Sequence, residues 1–255
     1  MPRTVVSSTA NPTIKRIVAL RDRRAIRYAE RRFIVEGPRF VWDSAFKQPP
    51  ELLVGTATAL DAWEIDPAQE VLEVSDELFQ HISTTDTPQG ILGVFVMPEV
   101  AIPEGRTPLI VLADGIQDPG NLGTLIRSAV AFGATEVIAL RGTVDPFSPK
   151  VVRAAAGAHF LIRISAVAPD DLSLVNVQLV LADEDGSVPP AKVAFRKPTA
   201  VAVGGEARGI SDALRTREHV SVAIPMMPAL DSLNAGVAIS VLLYEADRQR
   251  RAAGA

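Results

Sequence analysis

No cysteine occurs anywhere in the 255 residues. That excludes a disulfide scaffold and thiolate metal sites, and it fits a reducing compartment. Long apolar runs are missing as well. None approaches the ~20 residues that a membrane helix requires. The first residues, MPRTVVSSTANPTIKR, lack the apolar stretch of a secretory signal. The expectation is a soluble, cytoplasmic protein without a membrane partner. Histidine is scarce, and His81, His159 and His219 stand in no ligand spacing with Asp or Glu. They read as structural or surface residues, so no metal is expected. There is no Walker A motif, no G-x-G-x-x-G and no legible Ser-His-Asp arrangement. The missing glycine fingerprint argues against a nicotinamide-dependent dehydrogenase.

What is present is a chain that is 47% apolar, enough for a sizeable core in one large domain or two small ones. The net charge of −4 hides an uneven distribution. Residues 1–40 hold 10 Lys/Arg against 3 Asp/Glu, a net +7, and the remainder carries −11. A basic end on an acidic body suggests a polyanion docking there; a solvated helix surface is the bland alternative.

The segment 97-MPEVAIPEGRTP-108 places three prolines and a glycine between two apolar strand-like runs. It divides the chain into a domain over 1–98, a linker over 99–107 and a second domain over 108–255. In the first, 12-PTIKRIVALRDRRAIRYAERRF-33 has a helical pattern starting at Asn11-Pro12. Strands at 33–37 and 51–56, a helix over 38–47 and further alternating segments to residue 96 make it a small α/β domain. In the second, apolar strands at 109–113, 135–140, 177–182, 200–205 and 220–225 alternate with helices over 121–132, 148–158, 209–216 and 234–250. That alternation predicts a parallel sheet covered on both faces. Ligands of such sheets bind beyond the carboxyl ends of the strands.

Three loops fall at those ends: 114-DGIQDPGNLGTLIRSA-129, 203-VGGEARGIS-211 and 224-IPMMPALDSLNAGVAISVLLYE-245. Taken singly, each is a turn with glycine. The first could equally open a phosphate loop or a nucleotide cradle. Asn121 after Pro-Gly is a natural helix cap, and so are Ser232 and Asn234 at a helix start. Arg127 alone reads as a helix-surface arginine and Glu206 as a solvated loop carboxylate.

In order and spacing the three loops resemble the motifs of the SpoU/TrmH family of RNA ribose 2′-O-methyltransferases, of the SPOUT superfamily. The first motif is carried by Asn121, Gly123 and Arg127. The second is Glu206 with Gly209. The third is Ile224, Pro225 and Met226, then Ser232, Leu233 and Asn234. The resemblance extends through 146-PFSPKVVRAAAGAHFLIR-163 and 11-NPTIKRIVALRDRRAIRYAERRFIVEG-37, nearly the whole chain. It departs at Ala235-Gly236, where the family often has Val-Ser.

The resemblance implies a parallel-sheet catalytic domain with a deep trefoil knot, S-adenosylmethionine as cofactor, a homodimer packed through the knot, and an N-terminal RNA-binding domain. It implies catalytic roles for Arg127, Asn121, Glu206, Asn234 and Ser232. Arginine is rarely a base, because it stays protonated at ordinary pH, so Arg127 is expected to hold the substrate phosphate. Asn121 orients Arg127 or contacts RNA, and Glu206 binds Arg127 or the substrate. Gly204, Gly205, Ile224, Pro225, Met226, Leu233 and Asn234 are the expected cofactor residues, with Ala182-Asp183 adding to them. Lys15, Arg16, Arg23, Arg24, Arg27, Arg31 and Arg32 are the candidate contacts to the RNA backbone. The expected substrate is 23S rRNA. A tRNA substrate, or a non-catalytic RNA-binding or ribosome-assembly factor on the same fold, are the alternatives.

Overall fold

The computed structural model describes residues 3–206, 208–227, 229 and 232–253. The chain forms two compact units, Met1–Pro98 with Phe147–Phe160, and Glu99–Pro146 with Leu161–Ala255.

The first unit runs β1 (Thr4–Val6), α1 (Pro12–Asp22), α2 (Arg24–Glu30), β2 (Arg32–Glu36), α3 (Pro38–Ala45), β3 (Leu52–Gly55), α4 (Ala57–Asp61), β4 (Val71–Val74), α5 (Asp76–Ile82) and β5 (Ile91–Val96). Its sheet has the order β1-β4-β3-β5-β2. The β1, β4 and β3 ladders are parallel, and β5 is antiparallel to β3 and β2. Ile14, Ile17 and Leu20 point one face of α1 into a core with Ile34, Val54, Phe79 and Val94.

The single helix expected over 12–33 is two helices, broken at Arg23 (φ −117°, ψ 110°). The Arg27 side chain folds back over the break. Arg27 is 4% exposed and donates to Leu20 O at 2.6 Å and Arg21 O at 2.9 Å. Those carbonyls belong to the last turn of α1 and have no partner within the helix. A cation at that end also suits the helix dipole. Arg27 is therefore an internal clamp, which corrects its expected place among the RNA contacts.

Two further segments belong to this unit: α7 (Pro149–Ala155, labelled in chain order) and a single 3₁₀ turn over Ala158–Phe160. Phe147, His159 and Phe160 pack around Phe33 at ring-centroid distances of 5.3, 5.9 and 5.6 Å. Arg153 donates to Thr84 Oγ1 at 2.6 Å, and Thr84 and Ser83 donate in turn to the buried Glu36 carboxylate.

The second unit contains β6 (Leu109–Asp114), α6 (Pro119–Ala131), β7 (Glu136–Leu140), β8 (Arg163–Val167), β9 (Gln178–Ala182), β10 (Thr199–Gly204), α8 (Asp212–Arg215), β11 (Val220–Val222) and α9 (Ala235–Arg251). The sheet order is β11-β9-β10-β6-β7-β8 and every ladder is parallel. This is the α/β class expected. The helix expected over 209–216 shrinks to Asp212–Arg215 because Gly209 takes φ +62°, outside helical space. The strand at 163–167 was not anticipated. It lies at the sheet edge and is only half-buried, so RISAV lacks the continuous apolar run of its neighbours.

Arg250 secures the end of α9. Its guanidinium donates to Phe195 O, Thr107 O, Pro108 O and Lys197 O at 2.8–3.2 Å. Burial, and then the charge of Arg106, push it below the ordinary arginine range.

Candidate active site

The site lies at the carboxyl ends of β6, β9 and β10, where the strand-end rule places ligands. Three side chains from three loops meet there. Helix α6 is capped by Asp118, whose Oδ1 accepts the Asn121 amide at 2.7 Å, with Pro119 at the first helical position. Asn121 is thus not the cap, and its side-chain amide is available for a longer-range contact. Its Nδ2 donates to Glu206 Oε1 at 2.8 Å. Asn234 is the N-cap of α9, and Oδ1 accepts from Gly236 N and Val237 N at 2.9 and 3.3 Å. Its Nδ2 donates to Asn121 Oδ1 at 2.8 Å and to Glu206 Oε1 at 3.3 Å. For Asn234, capping and site geometry are served by one side chain.

Gly236, where the family often has serine, lies close against α6. A Cβ there would stand 3.1 Å from Thr124 Cβ, so glycine admits the start of α9 against α6. One turn on, the Ser128 and Ser240 hydroxyls meet at 2.7 Å.

Glu206 is presented by a tight loop. Gly205 N donates to Asp114 O at 2.9 Å and Gly209 N to Gly205 O at 2.8 Å. A Cβ on Gly204 would fall 2.1 Å from the Gly209 carbonyl carbon, and one on Gly205 2.3 Å from Gly115 O. No other residue fits either position without moving backbone.

Behind this cluster is a cavity of about 450 Å³. Ala182, Gly204, Gly205, Ile224, Met226, Ser232 and Leu233 line it, as do Glu206 and Ile210. Pro225 and Asn234 are not among its lining residues. The wall combines apolar side chains with backbone bared by glycine. That suits a flat heteroaromatic ring held by main-chain groups. Asp183, Glu184 and Asp185 also line the cavity, carboxylates suited to hydroxyl and ammonium groups. The chemistry of this donor set fits S-adenosylmethionine.

Asp183 is itself anchored by Arg215 at 2.5 Å, by the Asp185 amide at 3.2 Å and by Ser221 at 3.4 Å. Burial pushes its pKa up, but the Arg215 bond and the other donors outweigh it and hold the carboxyl below its usual range. Glu184, Asp185, Ile210 and Arg215 were not singled out from sequence. The acidic run 183-DED-185 at a strand end was the available signal.

Arg127 is exposed on α6, about 240° around the helix from Asn121 at 100° per residue, and borders neither the cavity nor the amide cluster. Among the described residues it has no ion pair or hydrogen bond. The described partners of Asn121 and Glu206 are each other and Asn234, not Arg127. In the first unit, Lys15, Arg23, Arg24 and Arg31 are exposed. Arg16 is engaged with Glu30 and Glu51, and Arg32 with Glu51. Among the described residues no His/Asp/Glu cluster could hold a metal ion.

A strand-end cavity bared by glycine, beside an Asn–Glu–Asn cluster, defines a small-molecule site on an α/β sheet. Residues 108–244 match the SpoU rRNA Methylase family and residues 11–93 the MRM3-like substrate binding domain. The chain belongs to the SpoU rRNA methylase family. It is similar to the 23S rRNA (guanosine(2553)-2′-O)-methyltransferase RlmP of Bacillus subtilis, 32% identical over 83% of this chain and 87% of that protein. An AdoMet-bound rRNA methyltransferase from Sinorhizobium meliloti superposes with a TM-score of 0.80 at 31% identity, covering 96% of this chain and 98% of that one. The Aquifex aeolicus TrmH/SpoU tRNA modifying enzyme matches at a TM-score of 0.51 and 28% identity, covering 58% of this chain and 78% of that one.

Proposed function

We propose that this protein is an S-adenosylmethionine-dependent RNA ribose 2′-O-methyltransferase acting on 23S rRNA in the cytoplasm. The observation that carries the reading is the Asn121–Glu206–Asn234 cluster at the edge of the glycine-bared cavity. The cofactor supplies an activated methyl group on a sulfonium sulfur. The backbone of Gly204 and Gly205, with Ile224, Met226 and Leu233, holds it, and Pro225 stiffens the loop that carries Ile224 and Met226.

The chain's own residues then act on the acceptor. A ribose hydroxyl is a poor nucleophile and must be held in line with the methyl group. Glu206 commits Oε1 to the two asparagine amides, and Oε2 has no donor among the described residues. We assign Oε2 as the acceptor of the ribose 2′-hydroxyl hydrogen bond. Asn121 and Asn234 orient that carboxylate, and Ser232 closes the cavity near the acceptor. Arg127, exposed on α6 and apart from both the cavity and the amide cluster, is assigned to an RNA phosphate outside them.

RNA affinity comes from the exposed Lys15, Arg23, Arg24 and Arg31 of the first unit. Ribosomal RNA is favoured over tRNA because the rRNA enzyme from S. meliloti matches 96% of this chain, whereas the tRNA enzyme matches only 58%. A homodimer is supported by α9, which leaves Val237, Val241 and Tyr244 exposed at i, i+4 and i+7. The knot implied by the family resemblance forms part of the same reading.

The test is transfer of labelled methyl from S-adenosylmethionine to separated 23S rRNA and tRNA from a strain lacking this gene, with Arg127→Ala alongside. Label in 23S rRNA that is lost with Arg127→Ala, while cofactor binding persists, is the expected result. Label in tRNA alone overturns the substrate. Absence of both label and cofactor binding returns the protein to a non-catalytic RNA-binding role.

A further inference from the structure

A second cleft, of about 710 Å³, adjoins the cofactor cavity within the same unit. Gly205, Glu206, Arg208, Gly209, Ile210 and Ala235 line both, so one loop walls the two spaces. The rest of the cleft is formed at the carboxyl ends of β6 and β7, by residues 114–118, Arg141 and Gly142, together with Asn121, Ser211 and Asp212.

Two arginines line this cleft, Arg141 and Arg208. Most arginines of the unit are committed elsewhere. Arg163, Arg215, Arg248 and Arg251 pair with carboxylates, and Arg106, Arg217 and Arg250 donate to carbonyls. Arg127, Arg141, Arg196 and Arg208 have no such partner among the described residues, and two of these four share one cleft. Three carboxylates in its wall accept amide hydrogen bonds. Asp114 accepts the Ser211 amide at 2.7 Å, Asp118 caps α6 and Glu206 holds two asparagine amides. Asp212, exposed, is the exception.

We propose that this cleft seats the RNA strand around the methylated nucleotide, with Arg141 and Arg208 as phosphate-holding positioning residues. This placement rests on the methyltransferase reading above and specifies where its substrate lies. The acceptor oxygen must reach the edge of the cofactor cavity, so the strand must occupy space that shares a wall with it. The cleft is that space, with Glu206 on the common wall. A ribose is flanked by phosphates, so a strand that brings its 2′-hydroxyl to Glu206 brings phosphate with it. A guanidinium fork matches phosphate oxygens in bidentate fashion. Gln117 adds an amide able to pair with sugar or base edges of an unpaired nucleotide.

The test compares full-length wild type with R141A, R208A and the double variant. Binding of fluorescein-labelled oligo(U) and of transcribed 23S rRNA is followed by anisotropy across salt concentrations. S-adenosylmethionine binding is measured by calorimetry and methyl transfer as a function of RNA concentration. R141A is the cleaner probe, since Arg141 borders only this cleft. Each substitution is expected to raise the RNA KM about tenfold and to lower the slope of log affinity against log salt by about one. Cofactor affinity of R141A stays at the wild-type value, and R141K recovers part of the slope. A double variant with wild-type slope and KM overturns the placement. So does a fall of cofactor affinity in step with RNA affinity for R141A. If the wild type binds RNA yet transfers no methyl, the methyltransferase reading fails. The salt slope of binding then decides the cleft by itself: lowered in the double variant it supports the RNA seat, and unchanged it removes it.

Discussion

Asn234 Nδ2 stands 2.8 Å from Asn121 Oδ1, joining residues 113 apart in sequence. The same Asn234 side chain caps α9 through its other end. Helix start and site geometry are therefore fixed together.

Replacing Asn234 separates those two duties. Asn234→Ala removes the cap and the amide link, and should cost about 1 kcal/mol of stability besides most of the methyl transfer. Asn234→Asp keeps a capping oxygen but sets a second carboxylate beside Glu206. It should melt within a few degrees of wild type and still lose activity. Thermal melts alongside methyl-transfer rates check both, and an active Asn234→Asp enzyme would detach Asn234 from the chemistry.

Acid should weaken the cavity wall through Asp183. Its pKa is depressed in the folded state, so its contribution is complete above the ordinary aspartate value of ~3.9 and is lost as pH falls through the lower folded value. Arg215→Ala removes the strongest partner. The gap in unfolding free energy between wild type and Arg215→Ala should hold at neutral pH and close as pH falls through the range in which the Asp183 carboxyl takes up its proton. Urea titrations at stepped pH measure this. A gap that widens in acid would contradict it.

Substituting alanine at Gly204 tests how closely the cofactor loop is packed. The added Cβ would meet the Gly209 carbonyl carbon at 2.1 Å, so backbone must move. A cost of about 1–3 kcal/mol is expected, with a loss of S-adenosylmethionine affinity seen by calorimetry. Unchanged affinity and stability would show that the loop yields.

Arg250→Met leaves the carbonyls of Phe195, Thr107, Pro108 and Lys197 without their shared donor. Some of them regain water, so the expected destabilisation is about 3 kcal/mol rather than the sum of four bonds. Denaturant midpoints measure it. Catalysis per folded molecule should stay near wild type, because Arg250 lies at the far end of α9 from Asn234.

Much of this architecture was legible in the residues, for identifiable reasons. Strands such as 109-LIVLA-113 and 177-VQLVLA-182 are buried on both faces and read as continuous apolar runs. The edge strand Arg163–Val167 has no such run and was invisible. At the Arg23 break, Arg27 folds back onto Leu20 O and Arg21 O, a contact that no local pattern encodes. At the site, motif spacing singled out Asn121, Glu206 and Asn234. Their partners were not predictable, because Glu206 meets two amides rather than a guanidinium only once three loops are brought together. Arg141 carries no signal in the sequence, since it follows a strand without any glycine-rich signature of its own.

The excursion of residues 147–160 into the first unit means that the polypeptide passes between the two units three times, not once. The proline-rich segment at 97–108 is therefore not a seam along which the protein can be cut. A chimera that exchanges residues 1–98 for a foreign RNA-binding module would strand Phe147, Val151, Val152 and Phe160 without the aromatic and aliphatic surface that buries them. Any transplant of substrate preference has to carry two separated pieces of sequence, and insertions or recombination events that respect only the linker should be selected against.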